Sequence, residues 1–247
     1  MAKLVAHRGA SAQATENTIA AFELAIELGT DFVEFDVLQT RDGILIVRHD
    51  EWIDGRHISQ IDYATIVGDP RFKNVPTLEE TLARIAGHVR LYVEIKQPGY
   101  EQKVIETLYA HLNSTEFVII SFEDEIISKV KENNPEIRTG LCLVHRNYFT
   151  KRLIIRRQDV FHMSRVRATK ADFIAPRNIP VLVTSVVNAY RHNIPLYVWT
   201  VNSYWAYRIL SMLGKVETIG SDVPPHMVPD KLYNHPHRRR LKRILHV

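Results

Sequence analysis

Short apolar runs rich in β-branched residues alternate along the chain with longer stretches of helical period. This rhythm predicts strands over residues 3–8, 31–38, 90–96, 116–122, 138–144, 172–175, 195–201 and 217–221. Between them it predicts helices near 17–28, 77–85, 100–112, 124–133, 149–163, 181–192 and 203–213. Strands that alternate with helices imply a parallel sheet, and eight of them suffice to close a barrel; an open doubly wound sheet is the rival arrangement. One segment breaks the alternation. Residues 44–47 form a further apolar run after Arg41-Asp42-Gly43, and Asp-Gly between two such runs predicts a β-hairpin after the second strand. Residues 68–76 read as a loop before a helix capped at Thr77, with Glu80 three residues on.

Length and composition fit one domain. The chain has 247 residues, of which 45% are hydrophobic and 24% charged, enough to bury a barrel-sized core. No repeat or linker interrupts residues 1–225, whereas 226–247 is a His- and Arg-rich tail. Net charge is +4, mildly basic, which permits an anionic substrate or surface without requiring one. Residues 146–170 and the tail hold much of the excess. The first is expected to be a solvated helix face, with contact to anionic lipid head groups as the sharper alternative. No nucleic-acid module is present in the sequence pattern. A single cysteine, Cys142, fits a reducing compartment. The start of the chain lacks a secretory h-region and no long apolar run exists, so a cytoplasmic protein is expected, with peripheral membrane contact at most.

The chemistry lies at strand ends, where barrel active sites are built. The first strand ends in His7-Arg8. The second holds Glu34 and Asp36, the third Glu94 and Lys96, the seventh Trp199, and the eighth runs into Ser221-Asp222. Residues i and i+2 share a face, so Glu34 and Asp36 point one way while Val33, Phe35 and Val37 point toward the helices. Buried carboxylates need compensation. Three of them with no nearby cysteine suit a hard divalent cation, Mg²⁺ or Ca²⁺. If the hairpin folds about Asp42-Gly43, His49 comes level with Asp36. His7 and His49 then form an acid–base pair beside the cation, and Arg8 and Lys96 are placed to hold phosphate oxygens.

These residues resemble the signature of the glycerophosphodiester phosphodiesterase family. The matching pieces are His7-Arg8-Gly9-Ala10, Glu16-Asn17-Thr18, Val33-Glu34-Phe35-Asp36-Val37, Thr40-Arg41-Asp42-Gly43, His49-Asp50, Val93-Glu94-Ile95-Lys96, Ser121-Phe122 and Val198-Trp199-Thr200-Val201-Asn202. The resemblance implies a single (β/α)8 TIM barrel that cleaves glycerophosphodiesters to glycerol 3-phosphate and an alcohol. It implies His7 and His49 as catalytic residues, Glu34, Asp36 and Glu94 as metal ligands, and Arg8 and Lys96 on phosphate. Glu16 falls close to the site, and Trp199 on the glycerol or leaving-group side. A lysophospholipase D-like activity at a membrane surface is the alternative. The run Glu51-Trp52-Ile53-Asp54-Gly55-Arg56-His57 departs from the family pattern in a segment that shapes the substrate entrance.

Overall fold

A computed structural model describes residues 1–143, 145–146, 153–154, 163–177 and 182–224. The elements are β1 (Lys3–Ala6), α1 (Ile19–Glu27), β2 (Phe32–Gln39), β3 (Leu45–Val47), β4 (Trp52–Ile53), β5 (Arg56–His57), α2 (Tyr63–Gly68) and α3 (Leu78–Ile85). Then follow β6 (Arg90–Ile95), α4 (Glu101–Tyr109), β7 (Phe117–Ser121), α5 (Asp124–Asn133), β8 (Arg138–Leu143), β9 (His145–Arg146) and β10 (Leu153–Ile154). The last described elements are α6 (Met163–Thr169), β11 (Phe173–Pro176), α7 (Leu182–His192), β12 (Leu196–Val198), α8 (Tyr204–Ser211) and β13 (Val216–Ser221).

Eight strands pair in parallel in the order β1-β13-β12-β11-β8-β7-β6-β2, and pairing of β1 with β2 closes the ring. The expected barrel is therefore the fold. Strand alternation builds two layers of core. Val33, Phe35 and Val37 face outward and pack with Phe22, Leu82 and Val104 of the surrounding helices. Inside the ring, Val5, Phe32, Tyr92, Val118, Phe173 and Tyr197 pack together as a floor. The Tyr92 ring meets those of Phe32 and Tyr197 at centroid distances of 5.0 and 4.7 Å, and its hydroxyl lies 3.1 Å from that of Thr218. The interior is thus a packed plug, and polar residues further along the same inward rows come out at the mouth.

The hairpin forms, with a register one residue away from the expected one. Val37 lies opposite Val47 and Gln39 opposite Leu45, so Arg48, not His49, is level with Asp36; the Arg48 amide donates to the Asp36 carbonyl at 3.0 Å. The cause is the turn. Thr40 and Ile44 flank a three-residue loop, in which Gly43 takes φ +79° and its amide bonds the Thr40 carbonyl at 3.0 Å. A two-residue Asp-Gly turn would have shifted the return strand.

The capping box at Thr77 forms as expected, Thr77 Oγ1 accepting from the Glu80 amide at 3.0 Å. The segment between β3 and α3 holds elements that periodicity did not suggest. These are the β4–β5 hairpin, a short 3-10 turn and α2, whose Ile66 packs with Ile58, Ile61, Leu38 and Ile46 in a separate small core. The helix expected over 149–163 falls mostly outside the described residues. Where it is described, Leu153–Ile154 is a strand paired with His145–Arg146, and a helix is described over Met163–Thr169. The adjacent β-branched Ile154 and Ile155 favour the extended form. Arg165, expected on a solvated basic face, is buried and bonds Asp124 at 2.7 and 2.9 Å and the Phe122 carbonyl at 3.0 Å. The tail lies outside the described residues. No described helix is long and apolar enough to cross a membrane.

Candidate active site

Glu34, Asp36 and Glu94 stand at the barrel mouth, all buried, each offering a carboxylate oxygen within 4.8 Å of the others. The register explains the meeting: β2 and β6 run side by side with Asp36 opposite Glu94, and Glu34 is two residues lower on the same inward row. Burial raises the Glu34 carboxyl well above its usual range, and the charges of Asp36 and Glu94 raise it further. Asp36 behaves in the opposite way. Burial works against its charge, but Lys96, Arg8 and His49 together with the Asn17 hydrogen bond hold it well below the usual carboxylate range. Lys96 Nζ sits 3.2 Å from Asp36 Oδ1 and 2.8 Å from Glu94 Oε1. Burial opposes the ammonium, yet the two carboxylates keep it charged far into the alkaline range.

The loop after β1 wraps this cluster. Arg8 takes φ +57°, and its amide donates to Glu34 Oε2 at 2.8 Å. Its guanidinium lies 3.5 Å from Asp36 and reaches Glu16 at the rim, 3.0 Å away. Gly9, at φ +81°, lies so near α1 that a Cβ there would stand 2.7 Å from Ala21 backbone. Asn17 was expected inside the first helix. It stays outside at φ +56°, because Thr18 caps α1, and its side chain both donates to Asp36 Oδ2 (2.9 Å) and accepts from the Asp36 amide (3.2 Å).

His7 is buried, its Nδ1 2.7 Å from Asp222 Oδ1 and its ring 5.7 Å from that of Trp199. Burial lowers its pKa, and the Asp222 hydrogen bond only partly offsets this. Asp222 is itself fixed by Asn202, whose Nδ2 donates to its second oxygen at 2.8 Å. Despite burial, the bonds from His7 and Asn202 bring the Asp222 carboxyl down to about 2. Trp199 is buried at the mouth, where its indole N–H donates to the Ala175 carbonyl at 3.0 Å. It forms a wall beside His7. His49 lies just past β3, one-third exposed, its Nδ1 2.9 Å from Asp50 Oδ1.

The structure thus brings His7, Arg8, Glu34, Asp36, Glu94, Lys96 and Trp199 to one mouth, with His49 and Glu16 on its rim. Two partners, Asp222 at the end of the eighth strand and Asn17 in the Glu16-Asn17-Thr18 run, had no expected role. Asp222 continues the inward row Thr218, Gly220, so the strand period could have found it. Asn17 had no periodic signal, since a left-handed residue before a cap belongs to neither period.

A closed β/α barrel that gathers three buried carboxylates, an aspartate-bonded histidine and two cationic side chains at one mouth has the build of a barrel enzyme. The Glycerophosphoryl diester phosphodiesterase family matches residues 7–225, and the chain belongs to that family. The Bacillus subtilis (strain 168) protein YhdW is 28% identical over 250 residues, which cover 92% of this chain and 97% of that protein. A glycerophosphodiester phosphodiesterase of Caldanaerobacter subterraneus is 35% identical over 159 residues, or 56% of this chain and 65% of that relative, just under two thirds of its length. An Oleispira antarctica phosphodiesterase, solved with the product sn-glycerol-3-phosphate, shares the fold with a TM-score of 0.74 at 22% identity, covering 94% of this chain and 97% of the other.

Proposed function

We propose that the enzyme hydrolyses glycerophosphodiesters to glycerol 3-phosphate and an alcohol, with His7 and His49 as the acid–base pair and a divalent cation at Glu34, Asp36 and Glu94. The observation that carries this reading is the meeting of three buried carboxylates within 4.8 Å, beside a histidine oriented by its own aspartate. Such a cluster disfavours its own ionisation, as the raised Glu34 carboxyl records, and a cation relieves that repulsion. An all-oxygen donor set fits Mg²⁺ or Ca²⁺. When bound, the cation neutralises charge growing on the phosphoryl oxygens.

The chain's own groups do the rest. His7 is held neutral by burial and committed through Nδ1 to Asp222, which leaves Nε2 to take a proton from the neighbouring glycerol hydroxyl as it attacks phosphorus and expels the alcohol, the cyclic phosphate so formed being opened by water to glycerol 3-phosphate. His49, oriented by Asp50, supplies the proton that the leaving alkoxide needs. Arg8, anchored by Asp36 and by Glu16 at the rim, serves a non-bridging phosphate oxygen. Lys96, buried just past the end of β6, balances Asp36 and Glu94 and adds positive charge beside the phosphate position. Trp199 gives the glycerol side an apolar wall that also fixes the His7 ring.

The test is a product analysis. The purified chain is offered glycerophosphocholine, glycerophosphoethanolamine and lysophosphatidylcholine, with Mg²⁺, with Ca²⁺ and with a chelator. Cation-dependent release of glycerol 3-phosphate from the first two substrates is expected, together with loss of turnover in His7→Ala and His49→Ala at unchanged fold. Full activity in the chelator, or in either variant, overturns the assignment. Turnover of lysophosphatidylcholine alone would move the substrate class to lysophospholipids.

A further inference from the structure

α7 and α8 are neighbouring outer helices. The strands before them, β11 and β12, are paired, and the Gly214 amide just beyond α8 donates to the Tyr190 hydroxyl near the end of α7 at 3.0 Å. α7 turns Ser185 and Ala189 inward, and α8 turns Tyr207 and Leu210 inward. At the helical period, the opposite face of α7 bears Val183, Val187 and Tyr190, and that of α8 bears Trp205, Ile209 and Met212. Each set is spaced i, i+4, i+7 and makes a stripe along its helix. Val183 is 75% exposed, Trp205 73%, Ile209 63% and Met212 84%. These six are most of the large hydrophobic residues exposed among the described ones, so apolar exposure is concentrated on one wall of the barrel.

Charge on this wall has one sign. The sequence has no aspartate or glutamate between Asp172 and Glu217, while Arg191, Arg208 and Lys215 lie in or beside the two helices. A second copy of the chain would bring these cations against their own equivalents with no carboxylate to pair them. The tail, with Arg238-Arg239-Arg240 and Lys242-Arg243, would meet the same repulsion. A bilayer of anionic lipid answers both features. Its acyl boundary takes the aliphatic stripe, its interfacial zone suits the amphipathic rings of Trp205 and Tyr190, and its phosphates pair the rim cations.

We propose that the α7–α8 wall docks the enzyme on an anionic lipid surface, lying along the side of the barrel and leaving the catalytic mouth free. The proposal is independent of the catalytic assignment. Its test uses the full chain with vesicles of mixed phosphatidylcholine and phosphatidylglycerol, and with phosphatidylcholine alone. Salt-sensitive co-sedimentation with the mixed vesicles is expected, and weaker binding to the neutral ones. Ile209→Asp and Met212→Asp should each weaken binding at least about tenfold, with unchanged thermal melting. Tryptophan emission should shift to the blue on binding, and Trp205→Phe should still bind while losing that shift. No sedimentation overturns the proposal, as does undiminished binding by Ile209→Asp, which would place the contact elsewhere. A blue shift that survives Trp205→Phe overturns it too. So does a solution dimer that Ile209→Asp splits, which would make the wall an interface between copies.

Discussion

Asp222 Oδ1 lies 2.7 Å from Nδ1 of His7, tying the end of the last barrel strand to the end of the first. The contact spans 215 positions of sequence and exists only because the barrel closes. It commits Nδ1, and under the proposed assignment this presents Nε2 to the substrate, in the way that an orienting carboxylate sets the tautomer of a catalytic histidine. Asp222→Asn keeps the shape, removes the negative charge and turns one of the two accepting oxygens, which serve His7 and Asn202, into a donor. Steady-state kinetics should show kcat reduced by roughly a hundredfold with KM little changed. An unchanged kcat would leave Asp222 a structural strut only.

Burial, and then the charges of Asp36 and Glu94, push the Glu34 carboxyl toward its neutral form when no cation is present. Glu34→Gln should therefore raise the melting temperature of the cation-free protein by a few degrees, about the effect of 1 kcal/mol. The same change should abolish the further rise that Mg²⁺ or Ca²⁺ gives the parent chain. Calorimetry with and without the ions reads both effects. A retained cation-dependent rise would remove Glu34 from the ligand set.

Gly9 has no room for a side chain. Its φ of +81° is disfavoured for other residues, and a Cβ would lie 2.7 Å from the Ala21 backbone. Gly9→Ala should cost about 2–4 kcal/mol in urea unfolding, from backbone strain and displacement of α1 together. Because Arg8 is adjacent and its amide holds Glu34, cation affinity should fall as well.

Stability should decline on acidification in two stages. His7 has a lowered pKa in the folded chain, so the unfolded chain takes up its proton first as pH falls through about 6.5. Stability drops from there until the folded imidazole also protonates. Asp222 adds the second stage. Its folded carboxyl is lowered to about 2, so its contribution is complete above the unfolded value near 4 and is lost as pH falls through that window. Urea titrations across this range should show both stages, and Asp222→Asn should make the lower one shallower, with Asp36 still contributing to it.

The sequence by itself determined eight strands alternating with helices and most of the mouth, while ring closure, which the family resemblance implied, was left by periodicity beside an open sheet. A period of two placed Glu34, Asp36 and Glu94 on inward rows, opposite the helix-facing Val33, Phe35 and Val37, and a period near 3.6 supplied the outer helices. Local steric rules are enough for that, because alternation and helical pitch are properties of the backbone. Tertiary structure decided what depends on turns and closure. The three-residue loop at Gly43 set the hairpin register, so that Arg48 and not His49 lies level with Asp36. The left-handed Asn17 reached Asp36 from outside its expected helix. Ring closure gave His7 its aspartate. Each of these turns on one residue's φ or on a meeting of distant chain ends, and neither leaves a periodic trace in the order of residues.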